Sequence, residues 1–179
     1  MQHGVALIPE NRNEEGVHLI LSVLENLAAA TVDKRKNLGF IKKKEESKTT
    51  GQMIDRLSIK ISSPRQLVQS LSGGNMQKVV LGKWLIFEPQ VIVLLEPTKG
   101  VDVATKQQIY LLIRQLADQG VAVVLNTSDM LELIGLCDRV LIMNQGFITA
   151  RLEGEQITEE NIMKASVSQV DILEAEKVP

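Results

Sequence analysis

The most constraining stretch of this chain is Leu71-Ser72-Gly73-Gly74-Asn75-Met76-Gln77-Lys78. An apolar segment follows, then a break at Glu88-Pro89, then the run Val91 to Leu95, which stops at Glu96-Pro97-Thr98. Ser72 and the two glycines stand where a helix begins, and the first N–H groups of a helix have no intrahelical partner. With glycines beside them, such groups form an anion-binding turn. Val91 to Leu95 is apolar at every position, the pattern of a parallel strand covered on both faces. A carboxylate at the end of such a strand lies where open α/β folds place their chemistry. The stretch therefore predicts a glycine turn, a helix over about Asn75 to Phe87, a buried strand and a functional edge.

The segments downstream extend this pattern. Asp102 or Thr105 caps a helix over Val103 to Asp118, with Ile109, Leu112, Ile113 and Leu116 on its apolar face and Gly120 just past its end. Val121 to Leu125 is a second apolar strand, Met130 to Leu136 a short helix and Arg139 to Met143 a third strand. Asn144-Gln145-Gly146 turns into Phe147 to Leu152 as a terminal hairpin. Thr158 caps a last helix through Lys164, and Val167 to Pro179 has no period, as in a frayed tail. The strand–helix–strand order over 91–143 predicts right-handed crossovers, a parallel sheet and the α/β class.

Upstream, Val5 to Ile8 reads as a buried strand closed by Pro9, and Glu10 to Gly16 as a charged turn. Ser22-Val23-Leu24-Glu25 is a capping box that opens a helix with Leu24, Leu27 and Ala28 in its stripe. The basic residues from Lys34 to Lys44 are balanced at once by Glu45 and Glu46 and read as a solvated face. Glu45 to Leu57 is a second helix with Met53, Ile54 and Leu57 on one side. Ile59 and Ile61 form a brief strand or extended arm, broken at Ser63-Pro64.

Composition narrows the function classes. The chain has 179 residues, 44% hydrophobic and 23% charged, which fits one domain with a real core. Its net charge of -2 gives no basic field for nucleic acid. No apolar run approaches the about 20 residues that cross a bilayer, and the opening Met1 to Ile8 has no secretory-signal pattern. The single Cys137 excludes an intrachain disulfide and a cysteine-rich metal site, and its apolar context predicts burial. His3 and His18 show no metal-ligand spacing, and Trp84 reads as a packing residue.

The turn Ser72-Gly73-Gly74-Asn75 with Gln77 and Lys78, then Glu96-Pro97-Thr98 and Gly100-Val101-Asp102 at their spacing, resembles the signature and following strand of ATP-binding-cassette ATPases. The form with Asn75, Gln77 and Lys78 resembles the carbohydrate-import branch, especially the C-terminal part of the second of two cassettes fused in one chain. It covers roughly Gly4 to Ala165. It implies a partial P-loop NTPase fold, with the N-terminal phosphate-cradle half absent. The implied organisation is a partial nucleotide-binding domain over 1–166, with a helical, signature-bearing subdomain over 18–88, a sheet core and C-terminal elements over 89–166, and a tail over 167–179.

Several site roles follow from the resemblance. Ser72, Gly73, Gly74 and Asn75 would contact, in trans, ATP held by an opposing cassette. Pro9-Glu10-Asn11-Arg12 is similar to the Pro-Glu-Asp-Arg segment of second cassettes, with Glu10 where other cassettes carry a glutamine that senses metal and γ-phosphate. Asp102 would lie at the interface between cassettes, an N-cap role standing beside that one. ATP and Mg2+ are implied for the complete assembly. The implied partners are integral-membrane permease subunits, a second nucleotide-binding cassette and, indirectly, a periplasmic or extracellular sugar-binding protein. The implied location is cytoplasmic, peripheral to the inner face of the membrane.

Three departures bear on catalysis. The phosphate cradle G-x-x-x-x-G-K-[ST] occurs nowhere in the 179 residues. Leu95 stands where the family has the magnesium-side aspartate, and leucine has no oxygen for a hard cation. Ser128 stands where the switch histidine would be and lacks the chemistry of an imidazole. Glu96 remains, either to polarise water or only to cap nearby N–H groups. The leading expectation is an ATP-binding component of a sugar importer, or a fragment of one, inactive in isolation and without tight nucleotide binding of its own. Two alternatives stand beside it: a non-catalytic module that pairs with an intact cassette, and a truncated gene product with no independent role. A partial sheet further predicts an uncovered apolar surface near Val5 to Ile8 and Val91 to Leu95.

Overall fold

The computed structural model describes residues 4–31, 36–37, 40–41, 43–167 and 176–177. The chain forms two compact units, Met1–Asn126 and Thr127–Pro179. In the first unit, β1 (Val5–Ile8), β4 (Val91–Leu95) and β5 (Ala122–Asn126) form a parallel sheet in the order β1-β4-β5. Ile8 pairs with Leu94, and Leu95 with Asn126. The ends of β1 and β4 thus open side by side.

The centre of this unit is α3 (Gly73–Leu85), capped by Ser72. Met76, Val79, Val80, Leu81 and Leu85 are all buried along it. It packs against β1 and against α1 (Val23–Ala28). The last turns of α2 (Lys43–Arg56) come equally close. A Cβ on Gly82 would lie 2.8 Å from Leu27 Cδ2 and 3.0 Å from both Met53 Cγ and Leu57 Cδ1, so the glycine sets how closely the helices approach. The capping box before α1 is formed. Ser22 N–H donates to Glu25 Oε2 at 2.8 Å and Ser22 Oγ accepts from Glu25 N–H at 3.2 Å. Buried Asn26 then fixes the preceding loop through the His18 and Ser22 carbonyls, at 3.0 Å each.

The helix α4 (Val103–Asp118) buries the four expected residues, Ile109, Leu112, Ile113 and Leu116. Each contributes about 1.5–3 kcal/mol by leaving water. Gly120 ends the helix with φ of +88°.

The sheet departs from the doubly covered pattern that the apolar run of β4 suggests. Ala6, Ile8, Ile92 and Leu94 are buried on one face, whereas Val5, Leu7 and Val124 on the other are 45, 48 and 53% exposed. That face is exposed at β1 and β5, while Val91, Val93 and Leu95 of β4 between them are half-buried. The arm at Ile59 and Ile61 is not a strand. Ile59 is buried, and the Lys60 N–H beside it is held by Asn75 Oδ1 at 2.8 Å. The solvated face read into Lys34 to Lys44 lies largely outside the described residues. Within it, β2 (Lys36–Asn37) and β3 (Phe40–Ile41) pair antiparallel.

In the second unit, α5 (Met130–Leu136) leads into the hairpin of β6 (Arg139–Asn144) and β7 (Phe147–Glu153). Gln145 and Gly146 both have positive φ, 51° and 84°, the backbone that a two-residue hairpin turn demands. The helix α6 (Glu159–Val167) covers the hairpin, and its Ile162 and Ala165 share a core with Val140, Ile142 and Ile157. Cys137 borders this core but is half-buried, short of the burial expected for it, because it follows the end of α5. The tail read as frayed contains one paired stretch, β8 (Glu176–Lys177), alongside Phe147 and Ile148. Among the described residues no helix is long and apolar enough to cross a membrane.

Candidate functional site

The first unit gathers Glu10, Ser72 to Asn75, Glu96 and Asp102 around the carboxyl ends of β1 and β4. Three turns meet there: the one after β1, the one opening α3 and the one after β4. Ser128 stands outside this unit, exposed in the short turn between β5 and α5.

Ser72 is exposed at the start of α3. Its Oγ accepts from the Asn75 side chain at 2.9 Å and from the Asn75 N–H at 3.4 Å. Both acceptor positions are taken, so the hydroxyl hydrogen is what Ser72 has to offer a ligand. The N–H groups of Gly73 and Gly74 open the same helix end, where the helix dipole favours negative charge. Asn75 has a second task through Lys60, which ties the arm after α2 to this turn.

Glu10 follows β1 and forms an ion pair with Lys99 at 2.5 Å. Glu10 is the main cause of a raised Lys99 pKa, with a smaller contribution from the charge of Glu96. Lys99 therefore pairs with the carboxylate that follows β1 and is further favoured in its charged form by the one that follows β4. Glu96 itself has φ of +45°, and its N–H donates to Asn126 O at 2.8 Å. A non-glycine residue in this left-handed region stores strain, a common feature of functional turns. Leu95, immediately before it, pairs with Asn126 and brings no oxygen to the site.

Asp102 caps α4, accepting from the Thr105 N–H at 2.9 Å and the Thr105 hydroxyl at 2.8 Å. These bonds hold the Asp102 carboxyl below the usual aspartate range. The starts of α3 and α4 nearly touch, since a Cβ on Gly74 would lie 2.8 Å from Thr105 Oγ1.

Arg12 and Lys99 are the members that the sequence did not single out. Arg12 Nη1 donates to Lys99 O at 2.6 Å and Nη2 to Gly100 O at 3.3 Å. For Lys99 the available signal was its charge opposite to Glu10 in two loops that leave adjacent parallel strands, whereas the carbonyl partners of Arg12 leave no such signal.

This arrangement fits a phosphate group at Ser72 to Gly74: a helix N-terminus, two glycines and an exposed serine hydroxyl. Leu95 brings no side-chain oxygen, and among the described residues no group of three or more His, Cys, Asp or Glu side chains stands together as a metal site would.

No family model matches the chain. Curated relatives do. The chain is 45% identical over 164 residues to the ribose import ATP-binding protein RbsA 1 of Rhizobium johnstonii, covering 92% of this chain and 32% of that protein. It is 42% identical over 166 residues to the ribose import ATP-binding protein RbsA of Geobacillus kaustophilus, covering 93% of this chain and 34% of that protein. The chain thus spans about a third of the length of these relatives. In fold it is similar to a dimeric ATP-binding cassette solved in a post-hydrolysis state with ADP and Pi, with a TM-score of 0.73 at 21% identity over 85% of this chain and 63% of that one. A second dimeric structure, of a bacterial ABC transporter cassette, matches with a TM-score of 0.73 at 20% identity, again over 85% of this chain and 63% of that one. The fold is that of ATP-binding cassettes, present in part, and the sequence resembles the ATP-binding proteins of carbohydrate importers.

Proposed function

We propose that this chain is part of the ATP-binding component of a carbohydrate importer, and that it supplies the signature side of a composite nucleotide site. The phosphates of ATP, carried with Mg2+ on an opposing cassette, would meet Ser72 Oγ and the N–H groups of Gly73 and Gly74. Residues 18–88 would face the membrane-embedded permease from the cytoplasmic side, with the sugar-binding protein acting across the membrane. Asp102 would stand at the junction between cassettes while it caps α4.

The observation that carries this reading is the state of Ser72. It is exposed at the start of a 13-residue helix, and its oxygen accepts from Asn75, which leaves the hydroxyl able to donate. ATP binding at this chain's own side is disfavoured by two features: the 179 residues contain no phosphate cradle, and Leu95 offers nothing to a cation beside Glu96. Glu96 is accordingly read as a turn residue without catalytic turnover in the chain alone.

The test mixes the chain with an intact cassette and compares Ser72→Arg with Glu96→Gln. Ser72→Arg fills the phosphate path and should reduce the partner's ATP turnover or nucleotide-driven association, while Glu96→Gln leaves both nearly unchanged. Equal effects of the two changes, or none from Ser72→Arg where association is demonstrated, would overturn the reading.

A further inference from the structure

We propose that Arg12 is a positioning residue that couples the Ser72–Gly74 turn to the turn after β4, so that the two move as one body. Arg12 leaves the end of β1 in a single π-helical turn, Arg12–Gly16, and its guanidinium lies between the other two turns. One side of the fork donates to the Lys99 and Gly100 carbonyls, at 2.6 and 3.3 Å. The same Nη2 lies against Gly73, where a Cβ would come within 2.8 Å of Arg12 Nη2 and 3.1 Å of Gly100 O. Gly73 therefore leaves the space that the guanidinium fills. The Nε atom is buried and makes no hydrogen bond, so the side chain is held by its two terminal nitrogens.

Planarity makes this contact specific to arginine. A fork of fixed geometry reaches two successive carbonyls while its Nη2 lies against a glycine, and an ammonium on a flexible stem cannot do both. The Glu10–Lys99 pair adds a second tie between the turns after β1 and β4 at 2.5 Å. Closure of a nucleotide phosphate on Ser72 would thus be felt at Gly100 and the start of α4. That consequence rests on the signature-side reading above, whereas the mechanical coupling does not.

Amide hydrogen exchange on the full 179-residue chain tests the coupling without a partner or nucleotide. The reporters on one turn are the Asn75 and Met76 amides, bonded to Ser72 Oγ at 3.4 Å and Ser72 O at 2.9 Å. Those on the other are the Lys99 and Val101 amides, bonded to Glu96 O at 3.1 Å and Thr98 O at 3.2 Å. Arg12→Ala and Arg12→Lys should each speed exchange at both pairs by about tenfold or more, the loss of roughly one charge-assisted hydrogen bond. The Ile92 and Leu94 amides in β4 should keep their protection. A change confined to one turn, no change at either, or a wild-type pattern in Arg12→Lys would overturn the proposal. Uniform loss of protection or of the fold in both variants would overturn it too, because Arg12 would then be a general stabiliser. Failure of the Ser72→Arg experiment with intact coupling would instead count against the nucleotide reading alone.

Discussion

Gly74→Ala measures how much of the signature turn is fixed by packing inside this chain. The added Cβ would lie 2.8 Å from Thr105 Oγ1, 2.9 Å from Thr105 Cγ2 and 3.1 Å from Thr105 Cβ. Thr105 cannot turn away cheaply. It is β-branched and stiff at χ1, and its hydroxyl donates to Asp102 Oδ2 at 2.8 Å. Overpacking of this kind costs about 1–3 kcal/mol, and alanine in place of a helical glycine returns at most about 1 kcal/mol, less in a first turn. The net loss is about 1–2 kcal/mol, or roughly 4–8 °C in Tm for a unit of this size. Urea unfolding followed by Trp84 fluorescence reads it cleanly, because Trp84 is the only tryptophan and sits in α3. Thr105→Ala removes the two nearest atoms, so Gly74→Ala in that background should lose most of its penalty. Additivity of the two changes within about 0.5 kcal/mol would refute the packing argument.

Two further outcomes follow from charge and exposure. Glu25 and Asp102 both cap helix starts, and hydrogen bonds from Ser22 and Thr105 hold their folded pKa values below the ordinary 4.5 and 3.8. A lowered carboxylate pKa adds stability that is complete above the unfolded value and is lost as pH falls through the folded one. Amides in the first turns of α1 and α4 should therefore lose protection as the pH drops below about 4, and Asp102→Asn should flatten that response at α4 alone; an unaltered acid profile in Asp102→Asn would contradict the assignment. On the uncovered sheet face, Leu7→Lys and Val124→Lys, at positions 48 and 53% exposed, should reduce self-association in light scattering with little change in Tm, and a collapse of the fold would show that this face is covered in solution.

The elements were legible where local pattern and packing agree. The α4 stripe, the N-cap at Asp102, the capping box at Ser22 and the bounds of α5 all follow from helical spacing and side-chain oxygens at helix starts. Chemistry at a single turn also read correctly, as at Gln145-Gly146, where two positive φ values close the hairpin. Three features were not legible. Whether β4 is covered on one face or two depends on what packs there, and an apolar run is the same in either case. The arm at Ile59 and Ile61 alternates like a strand, yet its backbone is taken by Asn75 rather than by a neighbouring strand. Cys137 looks like a core residue from its neighbours, but the end of α5 leaves it at the border of the hairpin core.

The site divides in the same way. Ser72, Glu96 and Asp102 were visible because each stands at the end of an element, where unpaired N–H groups or a strand terminus define a role. Arg12 and Lys99 were not, because their partners lie 87 to 89 positions away, and only the pairing of Ile8 with Leu94 brings their loops together. The two glycines show why spacing alone underdetermines function. Gly73 is required by the Arg12 guanidinium and Gly100 O, and Gly74 by Thr105, all within this chain and without any nucleotide. A Ser-Gly-Gly turn selected only for helix packing would look identical in sequence to one selected for phosphate. Ser72, exposed and accepting from Asn75, suits either one, because any capping serine keeps a hydroxyl hydrogen to donate, and the comparison of Ser72→Arg with Glu96→Gln is what separates them.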